Sequence, residues 1–202
     1  MTSMQVVGRD DVAAVIDAVP VAMPLSVVMT DLDGFGDFNE AAGRDTGDEL
    51  LATFAATLTK NLPNDALVHR IGGDEWTVTF PGFSVENSLV LMEEVRAHIE
   101  AAALGTAQHP VTMSAGVAAR PPHGTTGDDL IRAADEALSR SKRAGRNRVG
   151  IYVEDKMVMK SNYYSRATLD RLAALSRATN RTEASLLREA ADKLLAAYAE
   201  QI

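Results

Sequence analysis

The 202-residue sequence has no cysteine, which excludes a disulfide framework and thiolate metal centres and argues against zinc. It has no long apolar run, so no stretch reads as a membrane span. Met1 to Arg9 lacks the basic segment and apolar core of a secretory signal, and a cytoplasmic protein is expected. An excess of positive charge is missing too. The 20 Lys/Arg stand against 28 Asp/Glu, a formal charge of -8, which excludes nucleic-acid binding driven by bulk charge and leaves only a local basic face. There is no internal repeat and no low-complexity tract. What remains is ordinary globular composition, 46% hydrophobic and 24% charged, enough to bury one or two cores.

The character of the chain changes near residue 153. Residues 151–202 hold eight Lys/Arg and seven Asp/Glu, leaving twelve against twenty-one in the first 150. Two domains are expected, 1–153 and 154–202. In the first, Leu25 to Thr30 is a short β-branched run that reads as a buried strand, followed by a polar, glycine-rich stretch from Asp31 to Gly47. Thr46 is placed to cap a helix whose Leu50, Leu51, Phe54 and Leu58 share one face. Ala66 to Ile71 and Trp76 to Phe80 read as hairpin strands, joined by Gly72-Gly73-Asp74-Glu75, where the glycines can supply positive φ. A helix over 85–102, a strand over 111–118, a helix over 128–144 and a strand over 149–153 complete the order β-α-β-β-α-β-α-β.

Asp31 and Asp33 stand at the end of the first strand, and Asp74 and Glu75 at the hairpin tip. One sheet edge could gather these four carboxylates. Hard oxygen donors beside a phosphate pocket suit Mg²⁺. Singly, each residue has a plainer reading. An acidic turn residue is usually just solvated. Lys142 and Arg146 fit cations at a helix C-terminus with Gly145 as its cap, Asn39 and Asp48 fit loop and cap residues, and Phe35 fits the core. Only the joint spacing favours a site.

Arg70-Ile71-Gly72-Gly73-Asp74-Glu75-Trp76 resembles the signature of the GGDEF family, the diguanylate cyclases, with Trp76 in place of the usual phenylalanine. Asp31-Leu32-Asp33-Gly34-Phe35 with Asn39, Gly43, Gly47 and Asp48, the strand Val111 to Ala118, Ala134-Asp135-Glu136-Ala137-Leu138, and Lys142, Gly145, Arg146 and Asn147 continue the resemblance in order over residues 25 to 152. It implies an α/β (α+β) palm, ferredoxin-like with a central antiparallel-mixed sheet, that condenses two GTP into cyclic di-GMP with Mg²⁺ or Mn²⁺. Position by position, it implies that Asp31, the carbonyl of Leu32, Asp74 and Glu75 hold the metal, with Asp74 and Glu75 catalytic. Asn39 and Asp48 would read guanine. Gly72, Gly73, Lys142 and Arg146 would receive the phosphates, Lys142 and Arg146 from one helical face, and Phe35 would line the nucleotide site.

Beyond Trp76, the sequence departs from the family pattern in four further places. The Asp-x-Leu-Thr-Gly-Leu-x-Asn-Arg lead-in is reduced to Val6-Val7-Gly8-Arg9-Asp10 at best. Gly36 replaces a common phosphate-contacting lysine, and Arg44 a common histidine. The inhibitory product site would need Arg-x-x-Asp at 63–66, where Pro63, Asn64, Asp65 and Ala66 stand, so feedback inhibition through it should be absent.

In the tail, Lys156 to Ser165 reads as a short strand and Thr168 to Thr179 as a helix with Leu169, Leu172 and Leu175 on one face. A second helix starts at Thr182, with Leu186, Leu187, Ala190, Leu194, Leu195 and Tyr198 as its stripe. So small a unit buries too little surface alone, and an obligate homodimer is expected. The segment Met159 to Tyr198 resembles a ribbon-helix-helix domain. That resemblance implies operator DNA read by Met159, Ser161 and Tyr163 on one strand face, or Lys160 and Asn162 if the register is one off, with Thr182 at a helix start on a phosphate. Met159 and Tyr163 are poor base readers, which leaves a ribbon that only dimerises open. The competing reading of the whole chain is an inactive regulator that responds to GTP or cyclic di-GMP.

Overall fold

The structure is a computed structural model that describes residues 6–154, 164–179, 183, 186–187 and 190. The chain divides into two compact units, Met1–Asp155 and Lys156–Ile202. The first contains α1 (Arg9–Asp17), β1 (Leu25–Asp33), α2 (Phe35–Ala42), α3 (Arg44–Lys60), β2 (Leu67–Arg70), β3 (Glu75–Pro81), α4 (Val85–Ala101), β4 (Thr112–Arg120), α5 (Gly127–Arg143) and β5 (Val149–Ile151).

The strands form one mixed sheet in the order β2-β3-β1-β4-β5, antiparallel except for the β4–β5 pair. This is the palm-like α/β arrangement. Every residue of the central strand β1 is buried, because both sheet faces are covered. Leu25, Val27 and Met29 point to one side, against Val12 and Ile16 of α1 and Leu130, Ile131 and Leu138 of α5. Val28 and Leu32 point to the other, into the larger core with Phe54 and Leu58 of α3 and Met92, Val95 and Ile99 of α4. Period-two alternation on the strand meets period-3.6 stripes on the helices. Each large aliphatic side chain so buried contributes roughly 1.5–3 kcal/mol.

Two local choices fix where α5 lies. Its N-cap Thr126 accepts a hydrogen bond from the Asp129 N–H, at 3.2 Å. Gly116 of β4 lies directly beneath it, and a Cβ there would run into the backbone of Ala134 and Leu138. The helix therefore approaches the sheet more closely than any larger residue would permit.

Several sequence expectations are corrected. α1 is an unexpected helix, anchored by Val12, Ala13 and Ile16 against α5. The polar, glycine-rich stretch after β1 is largely helical. Gly34 turns the chain at φ 80°, and Phe35 and Phe38 then fasten α2 to the larger core. α3 starts at Arg44, after Gly43 at φ 89°, so Thr46 lies inside the helix and donates to the Ala42 carbonyl instead of capping. The hairpin forms, yet neither Gly72 nor Gly73 has a positive φ. Its turn is closed instead by Ile71 and Gly72 N–H groups donating to the Glu75 carbonyl.

In the second unit, α6 spans Arg166–Thr179, and the Ser165 hydroxyl accepts from the Thr168 N–H at its start. Leu172 is half-buried, while Leu169 and Leu175 are exposed. The expected ribbon, including Met159, Lys160, Ser161, Asn162 and Tyr163, and the expected cap Thr182 lie outside the described residues.

Candidate active site

β1 ends at the rim of the sheet, and the register decides what it meets there. Asp31 pairs with Glu75 of β3 on one side and Ser114 of β4 on the other. Directly opposed residues on antiparallel strands project to the same face, so two carboxylates stand side by side, an arrangement that costs energy unless a cation intervenes. The cation is Lys142 in the last turn of α5, whose Nζ lies 2.7 Å from Asp31 Oδ1. Asp31 is 7% exposed. Burial pushes its carboxyl up to about 6, the Lys142 hydrogen bond pulls it down, and the charges of Asp74 and Glu75 raise it again. Lys142, Asp74 and Glu75 thus all act electrostatically on Asp31.

Asp33 is spent differently. It is buried and accepts from Thr112 Oγ1 at 3.0 Å, Ser114 Oγ at 2.9 Å and the Asn147 N–H at 3.0 Å. Arg146 Nε stands 4.0 Å from it. Held by these three donors, Asp33 braces the rim and leaves three acidic side chains at the edge. Leu32, between the two aspartates, turns its side chain into the larger core.

The hairpin turn carries Asp74 and Glu75. Arg70 folds back over it, donating to the carbonyls of Gly72 at 3.1 Å and Gly73 at 2.6 Å. The Arg70 guanidinium stands 5.7 Å from the ring centroid of Trp76. Trp76 is buried against Phe54, so the turn is clasped from above and anchored from below. A Cβ on Gly73 would meet open space. Arg9 of α1 reaches the same rim, 3.9 Å from Glu75 and 3.4 Å from Asp135. Arg70 and Arg9 were missed as site residues. Arg70 was legible as the residue two before the glycine pair, whereas Arg9 depended on recognising α1.

Lys142 is on α5, but Arg146 is not on the same helical face. α5 ends at Arg143 in a Schellman motif: Gly145 N–H donates to the Lys142 carbonyl and Arg146 N–H to the Ser141 carbonyl. Gly145 has φ 115° and Arg146 φ 61°, so Arg146 reaches the rim from a left-handed turn.

Asn39 and Asp48 form a separate pole on α2 and α3. Asn39 Oδ1 is buried without a hydrogen-bond partner, and its carboxamide occupies the space that a Cβ on Gly47 would take. Asp48 is exposed. Among the described residues no hydrogen bond or ion pair joins this pair to the carboxylates. Phe35 is 7% exposed and belongs to the larger core.

Among the described residues, no three His, Asp or Glu side chains form a ready-made metal cage. The donor set nevertheless fits a hard divalent ion. It is all oxygen, it carries more negative charge than Lys142 neutralises, and the Lys142 ammonium occupies the position of a counter-ion on Asp31. The half-buried Lys142 and the exposed Arg146 beside that cluster suit a polyphosphate. The arrangement is a palm-like sheet with carboxylates and cations gathered at one rim.

The sequence profile described as "Diguanylate cyclase, GGDEF domain" matches residues 13–148. The chain is 35% identical over 130 residues to the response regulator PleD of Caulobacter vibrioides, covering 62% of this chain and 29% of PleD. It is 34% identical over 131 residues to the diguanylate cyclase DosC of Escherichia coli K12, covering 64% of this chain and 28% of DosC. The chain therefore spans under a third of the length of these curated relatives. The active GGEEF domain of a diguanylate cyclase from Vibrio cholerae superposes with a TM-score of 0.65 at 29% identity, covering 75% of this chain and 100% of that one. The GGDEF domain of DgcB from Caulobacter crescentus, in complex with c-di-GMP, gives 0.64 at 27% identity, covering 74% and 92%. The chain belongs to the GGDEF diguanylate cyclase family.

Proposed function

We propose that this protein is a diguanylate cyclase that joins two GTP into cyclic di-GMP with release of two pyrophosphates. The observation that carries the reading is the Lys142–Asp31 pair at 2.7 Å beside Asp74 and Glu75, a buried carboxylate held ready by a displaceable cation. Two domains each bind one GTP. The 3′-oxygen of each attacks the α-phosphorus of the other, one P–O bond forms at each centre, and pyrophosphate leaves as the bond to the β-phosphate breaks.

Asp31, the Leu32 carbonyl, Asp74 and Glu75 are the groups that would hold Mg²⁺ or Mn²⁺. When bound, the ion supplies charge neutralisation along the triphosphate and acidifies the attacking hydroxyl. Asp74 and Glu75 are the acceptors for the 3′-hydroxyl proton. Lys142, released from Asp31, and Arg146 take up the charge of the phosphates. Gly72 and Gly73 leave the hairpin backbone open to them. Asn39 and Asp48 offer an amide and a carboxylate to the guanine edge, and the unpartnered Asn39 Oδ1 supports that role. Phe35 supports the pocket from the core.

The tail is proposed to be a ribbon-helix-helix module, residues 154–202, that makes the protein a homodimer and brings it to operator DNA. Its ribbon would contain Met159, Lys160, Ser161, Asn162 and Tyr163, and Thr182 would meet a phosphate. The exposed Leu169 on α6 supports a second copy as its partner. The setting is cytoplasmic, and among the described residues no helix is long and apolar enough to cross a membrane. Pro63, Asn64, Asp65 and Ala66 favour a cyclase without product inhibition at that position.

Gly36, where a lysine is common, favours a second reading, a regulator that binds GTP or cyclic di-GMP without turnover. Incubation of the purified protein with GTP and Mg²⁺, followed by mass-resolved product analysis, separates the two. Cyclic di-GMP lost on Asp74→Ala supports the cyclase, whereas GTP bound but recovered intact selects the regulator. Deleting residues 156–202 should lower both dimer content and turnover, and unchanged values would refute the role given to the tail.

A further inference from the structure

The turn after α5 holds more left-handed backbone than a helix stop requires. Gly145 alone completes the Schellman motif, yet Arg146 and Asn147 follow it at φ 61° and 46°. For a residue with a Cβ the left-handed region is disfavoured, and such strain persists only where the surroundings over-determine it. The surroundings here are specific. The Asn147 N–H donates to Asp33 Oδ2 at 3.0 Å. Its carboxamide is held at both ends, Oδ1 by Arg96 Nη1 at 2.9 Å and Nδ2 by Glu100 Oε1 at 2.7 Å. Arg96 also bonds Glu93 at 2.7 Å and Glu100 at 2.8 Å, and Glu93 accepts the Val149 N–H at 3.0 Å. Arg96 with Asn147 holds the Glu100 carboxyl below its ordinary value.

The network therefore joins α4 to both sides of the turn and closes on Asp33 at the end of β1. Isolated surface ion pairs contribute little, but this one is a connected set around a planar guanidinium whose side chain is only 18% exposed. What it leaves free is the Arg146 side chain, 63% exposed and 4.0 Å from Asp33.

We infer that Asn147 is a positioning residue for Arg146, clamped by Arg96 and Glu100 of α4 and by Asp33 of β1, so that the Arg146 guanidinium is held in place for the triphosphate. The inference rests on the proposed role of Arg146 in binding that group. A preorganised cation loses less freedom on binding, so releasing the turn weakens triphosphate affinity without touching the nucleoside. Asn147 tolerates the left-handed region, which explains an asparagine at this position.

The test is calorimetric binding of 3′-deoxy-GTP with Mg²⁺, and separately of GMP, to the whole protein and to Arg96→Gln, Asn147→Gly, Arg146→Ala and the Arg96→Gln/Arg146→Ala double variant. Asn147→Gly keeps a residue that adopts positive φ at no steric cost and so preserves the fold while removing the carboxamide. Arg96→Gln and Asn147→Gly are each expected to weaken 3′-deoxy-GTP about tenfold, near 1.4 kcal/mol, and to leave GMP affinity unchanged. Arg96→Gln should add nothing once Arg146 is gone. Unchanged triphosphate affinity, equal weakening of GMP, or a full additional loss in the Arg146→Ala background would each overturn the positioning role alone. If Arg146→Ala itself binds 3′-deoxy-GTP normally, the triphosphate role of Arg146 fails and the inference falls with it.

Discussion

Replacing Asp31 with asparagine should separate what this residue does for function from what it costs the fold. The folded protein keeps the Asp31 carboxyl protonated up to about pH 6, against an ordinary value of 3.8, because burial opposes its charge more than Lys142 relieves it. An unfolded chain gives up that proton near its ordinary value. Between the two, the folded state binds more protons, so stability falls as pH rises through this window, and above it the whole cost is present. At about 1.4 kcal/mol per pKa unit, the cost is about 2–3 kcal/mol. Asparagine has the same shape and no charge to desolvate, and Lys142, with its side chain 34% exposed, can turn to water. Thermal unfolding at pH 7.5 should place Asp31→Asn roughly 5–10 °C above the parent, with a flatter profile between pH 4 and 6. Added Mg²⁺ should raise the melting temperature of the parent and not that of the variant, and cyclic di-GMP synthesis should vanish. A variant that melts lower than the parent at pH 7.5, or keeps the parent's pH profile, would refute the reasoning.

Gly36 lies on α2 with open space where a Cβ would stand, so Gly36→Lys should fold and place a cation near the phosphates. Its KM for GTP should fall severalfold, and helix stability should rise by about 0.5–1 kcal/mol in denaturant melts. Gly47→Ala forces a methyl into the Asn39 carboxamide, so GTP binding should weaken at least tenfold while ATP binding changes little, as measured by competitive titration. Gly116→Ala pushes against the α5 backbone and should destabilise the domain by about 1–3 kcal/mol in urea melts.

The sheet was legible because β1, β3 and β4 are dense β-branched or apolar runs, and α4 and α5 because their stripes are long and their ends marked. α2 was hidden by three glycines in and around it, although Phe35 and Phe38 already carried the helical spacing. α1 is nine residues long, and its amphipathic face makes sense only once α5 is beside it. At the site, residue types and spacing pointed to Asp31, Asp74, Glu75 and Lys142. They could not show that Asp33 is consumed by Thr112, Ser114 and Asn147, since those partners arrive from β4 and from the turn after α5, more than 75 residues away in sequence. Nor could they show that Arg146 stands beyond its helix, because the left-handed turn is set by contacts with α4 and β1.

Crystals of the protein grown with Mn²⁺ and 3′-deoxy-GTP, recorded at the manganese edge, test the proposed metal and triphosphate site directly. Manganese density is expected against the Asp31 carboxylate, with the Lys142 ammonium moved from Asp31 to the phosphates. Manganese bound elsewhere, with Lys142 still seated on Asp31 beside an occupied nucleotide, would contradict that proposal.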